Sequence, residues 1–335
     1  MSTKAALQQL KERFWQDDLL KMPRRLYPEL SEAQLYRLWL QDYELLLADP
    51  PAVTPEVLDL FASAGLTQLE PHYLADPGGS WYALVTLRYN LRTRYRFCYA
   101  RYWWARDRQA LRRMVQTMIE TWATAPFDWF KFRAGYDSGL SPADFHPEAI
   151  FQNHVVAGRP ARTAIGPTLA RLEEMQLQVE RPDQVGAWWK QYRALLDEQE
   201  LLAPGLMEDW NDYETAVLQL EQELAELLHN GGGIINLWQD QQLVGHISWR
   251  PHRYREQLIQ RCWHIQNVII KAPQRRQGLG ICLHRLALAQ MNLEATPIVA
   301  GLVRAGNEAS LKTAAKLGRG VVDSYVVVPN VKREA

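Results

Sequence analysis

The residues that could do chemistry together are concentrated in one stretch. The apolar run Val268, Ile269 and Ile270 leads through Lys271-Ala272-Pro273-Gln274 into Arg275-Arg276-Gln277-Gly278-Leu279-Gly280, and an amphipathic segment follows over residues 281–292. A glycine-bearing turn between a strand and a helix aims several backbone N–H groups at one point, and the positive end of the helix dipole adds to their pull on an anion. The chemistry expected here is phosphate binding, with Arg275 and Arg276 as ionic partners. The spacing is R-x-x-G-x-G, carried by Arg275, Gly278 and Gly280. It is neither the G-x-x-x-x-G-K-[ST] of a nucleoside-triphosphate loop nor the three-glycine dinucleotide fingerprint. Alone the hexapeptide is common in ordinary turns, so its surroundings must decide.

Composition bounds those surroundings. The chain has 335 residues, 47% of them hydrophobic, enough for two domains with real cores. Formal net charge is zero, which does not favour nucleic acid or an anionic membrane as a general partner. Cys98, Cys262 and Cys282 are odd in number and far apart, with no metal-ligand spacing, so no metal is expected and a reducing compartment fits. Residues 1–20 lack an apolar signal core, and no run of about 18 apolar residues is present. The expectation is a cytoplasmic protein with no membrane association.

The periodicities predict how the stretch is positioned. Residues 1–66 read as a helical cap, with helices over 5–20, 31–47 (a capping box at Ser31 and Gln34) and 55–64. Residues 67–150 read as an α+β domain: strands over 81–89 and 94–104, a helix over 105–125 and a strand over 127–134. Residues 151–179 are a linker and helix; glycines and prolines across 135–170 predict irregular structure, and a helix resumes over 168–178. From 180 to 335 the pattern is helices over 183–202 and 209–229, strands over 234–239, 243–250 and 259–271, the loop and its helix, a strand over 297–303, a helix over 307–317 and a strand pair within 321–328.

Nine arginines lie between Arg88 and Arg113 against the single acid Asp107, interleaved with aromatic residues. Such a pattern suits single-stranded nucleic acid. It equally suits a two-layer domain with aromatics in the core and arginines outside, or a surface for an acidic partner.

The order of elements over about residues 180–330 resembles the GNAT acetyltransferase superfamily. Two segments carry the resemblance: Arg275 to Gly280, similar to the family's [QR]-x-x-G-x-[GA], and Asn307 to Gly318, similar to its N-x-x-[AS]-x-x-L-Y-x-K-L-G segment. The resemblance implies an α/β (α+β) fold with a mixed sheet flanked by helices, and acetyl-CoA or another acyl-CoA as cosubstrate. It implies that amides of Gln277, Gly278, Leu279 and Gly280 hold the CoA pyrophosphate and that strand amides at Val268, Ile269 and Ile270 pair with the pantetheine arm. Asn307 and Ser310 are further cofactor candidates. The family's usual tyrosine is replaced by Ala314, and Arg319 stands where an aromatic usually follows the glycine. Catalytic candidates are His264, eleven residues ahead of Arg275 where the family places a glutamate base, His246 on the neighbouring strand, and Tyr325 as a proton donor. The strand, strand, helix, strand order over 81–134 repeats that of the C-terminal core, so the N-terminal half is either a degenerate copy or an unrelated α+β domain. Two functions stay open: N-acyl transfer to an amine acceptor, a small molecule or a protein, or a catalytically reduced acyl-CoA-binding adaptor with an acidic or nucleic-acid partner.

Overall fold

The computed structural model describes residues 21–35, 37–38, 72–89, 96–122, 127–135, 138–160, 175–180, 185–202, 213–254 and 259–330. In chain order the elements are α1 (Lys21–Leu26), β1 (His72–Ala75), β2 (Trp81–Tyr89), β3 (Arg96–Ala105), α2 (Arg108–Thr121), β4 (Trp129–Gly135), α3 (Pro142–Phe145), β5 (Ile150–Gly158) and β6 (Gln176–Val179). There follow α4 (Val185–Leu202), α5 (Tyr213–His229), β7 (Gly233–Gln239), β8 (Gln242–Tyr254), β9 (Ile259–Ile270), a 3-10 turn (Ala272–Gln274), α6 (Leu279–Gln290), β10 (Val299–Arg304), α7 (Glu308–Lys316) and β11 (Arg319–Pro329). The helices expected over 5–20 and 55–64, the connection at 90–93 and most of the helical cap lie outside the described residues. At Ser31 the capping box forms: Gln34 Oε1 accepts from the Ser31 N–H at 2.8 Å, and the Gln34 N–H donates to Ser31 Oγ at 3.3 Å.

Two compact units divide the chain: Met1–His154 with Arg255–Leu258 and Val322–Ala335, and Val155–Tyr254 with Ile259–Val321. In the first unit β1, β2 and β3 pair antiparallel, β4 lies parallel to β3, and β11 runs antiparallel to β4 from Asp323↔Gly135 to Pro329↔Trp129. Helix α2 links β3 to β4 and lays Leu111, Met114, Val115 and Met118 on Phe130, Phe132, Val326 and Val328. Its three-and-four spacing makes one apolar stripe, which is why the segment is a helix packed on a sheet. Asp107 starts it, Oδ1 accepting from the Ala110 N–H at 2.8 Å.

In the second unit β6 to β9 form an antiparallel run in the hydrogen-bonded order β9-β8-β7-β6, and β10 joins β9 in parallel. This is a mixed sheet with a helix layer on each face. Helices α4 and α5 put Trp188, Tyr192, Leu195, Leu220 and Leu224 against Ile234, Leu243 and Ile269. On the other face α6 puts Leu279, Leu283, Ala287 and Leu288 against Ile235, Ile247, Trp249 and Ile265. Neighbouring strand residues point to opposite faces, so the near-continuous apolar runs of β7 and β9 are what a sheet covered on both sides needs.

Three expectations change. Residues 150–158 are the strand β5, although glycines and prolines predicted irregular chain. Gly158 is there because a Cβ would stand 2.0 Å from the Gly318 carbonyl oxygen, so this glycine permits a close backbone approach within a strand. The end of the helix expected over 168–178 is strand: Gln176-Leu177-Gln178-Val179 alternates with period two and pairs with β7. The expected strand pair within 321–328 is the single strand β11.

Candidate active site

Strand β9 runs to Ile270 and β10 to Arg304, yet they pair only at Val299↔Trp263, Ala300↔His264 and Gly301↔Ile265. Beyond Gly301 the two strands part. Val268, Ile269 and Ile270 keep β8 on one edge, paired with Ile247, His246 and Gly245. Their other edge faces the fork, beyond the last β9–β10 pair at Gly301↔Ile265. Just below the fork the β8–β9 register shifts between Ser248↔Asn267 and Trp249↔Ile265, leaving Gln266 as a bulge.

The loop after β9 builds the cradle. Arg276 (φ 61°) and Gly278 (φ 83°) both have left-handed backbones, bracketing Gln277. Such alternation turns successive N–H groups inward. Gly278 is the N-cap of α6, and the first intrahelical bond is Cys282 N–H to Gly278 O at 3.1 Å. The amides of Leu279, Gly280 and Ile281 therefore precede the helix's own acceptors. At Gly280 a Cβ would meet nothing within 4 Å, so the space beside these amides is open. Leu279 is buried against the sheet, so only its backbone can serve a ligand. Arg275 Nε donates to the Ile270 carbonyl at 3.0 Å, which ties that guanidinium to the strand end, while Gln277 Nε2 donates to Pro273 O at 3.1 Å. The loop is anchored to α4 by the Ala272 N–H donating to Glu198 Oε1 at 2.8 Å. Asn307 caps α7, its Oδ1 accepting from the Ser310 N–H at 3.1 Å.

In the first unit the turn from β3 to α2 is different. Asp107 already occupies an amide at the start of α2 with its own carboxylate, and no glycine is present. A second anion has no reason to bind there.

His264 is buried, pairs with Arg250 and Ala300, and sets its ring 5.2 Å from that of His252. Burial first, then the positive potential of His252, Arg250 and Arg319, lowers its pKa to about 3. The imidazole is therefore uncharged at neutral pH. His246 is fully buried, packed on the rings of Trp188 and Tyr192, and its Nδ1 is 2.8 Å from Asn236 Oδ1. Asn236 Nδ2 in turn donates to Glu180 Oε1 at 2.8 Å. Burial lowers His246 to about 3 and raises the Glu180 carboxyl. These two imidazoles belong to the second unit but have different ring neighbours. Tyr325 belongs to the first unit, where its ring lies edge-on to Tyr99 and under the Lys131 ammonium.

Two site features are invisible to spacing arguments. One is the bulge at Gln266, whose Nε2 lies 3.5 Å from Glu223 Oε2 on α5. The other is a buried basic pair: Arg319 Nη2 lies 3.3 Å from His284 Nδ1. Among the described residues no group of three or more His, Cys, Asp or Glu could hold a metal, and no helix is long and apolar enough to cross a membrane.

With this geometry in view, the profile of the acetyltransferase (GNAT) family matches residues 189–318. That segment is similar to a GNAT domain. It contains α5, the antiparallel strands β7 to β9, the fork, the cradle and α7, so the family match and the geometry fall on the same residues. No curated protein sequence matches the chain. Among solved structures, a GCN5-related N-acetyltransferase from Sphaerobacter thermophilus is 17% identical, with 85% of this chain and 89% of that one covered and a TM-score of 0.48. The tandem GNAT protein from the clavulanic acid biosynthesis pathway is 14% identical, with coverages of 90% and 96% and a TM-score of 0.46. A GNAT-family acetyltransferase from Colwellia psychrerythraea is 12% identical, with coverages of 86% and 95% and a TM-score of 0.47. These are likenesses, and no substrate follows from them.

Proposed function

We propose that the chain is an acyl-CoA-dependent N-acyltransferase, with acetyl-CoA or another acyl-CoA as donor and an amine, of a small molecule or a protein, as acceptor. The observation that carries this reading is the fork between β9 and β10 ending in a glycine cradle at the start of α6. The pyrophosphate would sit on the amides of Gln277 to Gly280, with Arg276 beside it, and the pantetheine amides would pair with Val268 to Ile270. The thioester is then held beside the bulge at Gln266, where a strand amide would polarise its carbonyl.

The transfer itself needs little machinery. The neutral amine nitrogen attacks the thioester carbonyl carbon, the C–S bond breaks, and the thiolate departs with the electron pair. His264 projects to the face covered by α4 and α5, away from α6, and is the group we assign to receive the amine proton. With a pKa of about 3 it is a weak base, suited to passing a proton on rather than keeping it. Ala314 is buried and offers no phenol on α7. The buried cysteines Cys98, Cys262 and Cys282 form no disulfide, which accords with a reducing cytoplasmic setting.

The competing reading, an acyl-CoA-binding adaptor recruiting an acidic partner through its arginines, is the weaker one. Arg106 is paired with Asp107 and Arg108 with Asp144, so two of these cations are answered within the chain. Titration calorimetry with acetyl-CoA tests the preferred reading. Wild type should bind, and Gly280→Asp, whose Cβ would meet nothing within 4 Å and whose carboxylate would enter the phosphate space, should lose about tenfold or more in affinity. Absence of binding by wild type would remove the proposal.

A further inference from the structure

Among the described residues, one buried cation near the fork lacks a counter-ion. Arg319 is 4% exposed, and its only partner among the described residues is His284 Nδ1. Its Nε has no hydrogen-bond partner. His284 is itself buried and held well below its ordinary pKa, by burial first and then by Arg319, so it accepts as a neutral imidazole and brings no charge. Burial lowers the guanidinium to about 10, which still leaves it cationic at neutral pH. A guanidinium presents five N–H donors in a planar fork matched to a carboxylate. Buried charges are ordinarily paired, because leaving water is costly without a partner.

The position of this cation says what the partner is. A Cβ built on Gly301 would lie 3.8 Å from Arg319 Nη1 and 3.8 Å from Ile265 Cβ. Gly301 and Ile265 are the last residues that β10 and β9 share before they part. The guanidinium therefore lies at the closed end of the fork, within contact distance of the position a Cβ on Gly301 would take, which itself stands 3.3 Å from the Ile265 carbonyl oxygen. Ile265 packs with Leu279 and Leu283 of α6, so this is the face of the sheet that carries the cradle. His264 is the neighbour of Ile265 along β9 and points to the opposite face. A ligand group reaching Arg319 thus arrives from the acyl-CoA side and not from the acceptor side. The phosphates of such a ligand are engaged at the other end of the fork, and its thioester is neutral.

We infer that Arg319 forms a carboxylate pocket at the closed end of the fork, so that the acyl group is that of a dicarboxylic acid linked to CoA through one carboxyl and held by Arg319 through the other. This rests on the reading that the cradle binds an acyl-CoA. The pocket sets which acyl group is taken, and the amine attack on the thioester is unchanged.

Two matched ligand pairs test it by titration calorimetry: succinyl-CoA against butyryl-CoA, and malonyl-CoA against propionyl-CoA. The members of each pair differ by a terminal carboxylate in place of a methyl group. For wild type the acid-bearing member of at least one pair should bind about tenfold tighter or more, as expected for a charge-assisted, desolvated pair. Arg319→Met, similar in volume and without charge, should erase that preference while retaining affinity for the neutral ligands to within about twofold. Equal affinities within both pairs for wild type would overturn the inference without any variant, as would a preference that survives in Arg319→Met. Free CoA separates the two levels of the argument. If wild type binds CoA but shows no preference, the carboxylate pocket alone fails; if it does not bind CoA, the cofactor reading fails and takes the pocket with it.

Discussion

The second unit should be unusually sensitive to mild acid, because it buries neutral imidazoles. His246 and His264 are both lowered to about 3, in each case first by burial, and His284 is lowered well below its ordinary value. In an unfolded chain the same groups titrate near 6.5. A folded pKa below the unfolded one means that the unfolded state binds the extra proton between the two values. Stability is thus fully present above about pH 6.5 and falls as pH drops toward the folded pKa. Each fully shifted imidazole contributes a slope near 1.4 kcal/mol per pH unit, or about 2 kcal/mol between pH 7 and pH 5. His246 and His264 together give about 4 kcal/mol, a large part of a typical domain's stability.

His154, also lowered by burial, adds to this loss in the same direction, whereas the shifted carboxyls do not mimic it. Asp76, Asp107 and Asp144 are lowered from 3.8, chiefly by hydrogen bonds from Ser80, Ala110 and Ser141, and remain ionised in both states at pH 5. Glu180, raised by burial, acts the opposite way: its contribution is complete below its ordinary 4.5 and fades as pH rises through the folded value, so it trims the effect at the acid end. Urea unfolding followed by tryptophan emission at pH 7 and pH 5 measures the drop. His246→Asn, which keeps a neutral polar group beside Asn236, should reduce it by about 2 kcal/mol. A stability that is flat between the two pH values, or one that falls equally steeply in the variant, would refute the assignment of buried neutral histidines.

Gly158→Ala should cost about 3 kcal/mol or more by thermal or urea denaturation, because its methyl would enter the Gly318 carbonyl and two backbones must move. Arg133→Met should cost about 3–5 kcal/mol, since Asp323, 1% exposed and 2.5 Å from Arg133 Nε, would be left charged and buried; adding Asp323→Asn should recover part of the loss in the same urea experiment. If His264 is the base, the transfer rate should show no acid limb near pH 6.5, because the imidazole stays unprotonated to about pH 3. A break at the ordinary histidine value, lost in His264→Gln, would show instead that the ring is solvated during turnover.

Much of the second unit was legible in the chain. Arg275, Gly278 and Gly280 after an apolar run specify a strand, a turn and a helix start, because positive φ and open amides need glycine at particular steps. The stripe of α2 and the Ser31–Gln34 capping box are local in the same way, decided by residues three and four apart. What needed the tertiary structure is what depends on partners distant in sequence. Gly158 reads as a loop residue until Gly318 stands against it, and Gln176 to Val179 reads as the tail of a helix until β7 offers its edge. His264 reads as a base near neutral pH until burial and three neighbouring cationic side chains remove its charge. Arg319 reads as a departure from a motif until the fold encloses it beside Gly301, where its side-chain partner among the described residues is a neutral imidazole. Spacing along the chain fixes backbone conformation, whereas desolvation and counter-ions, which set what a side chain can do, are properties of the packed molecule.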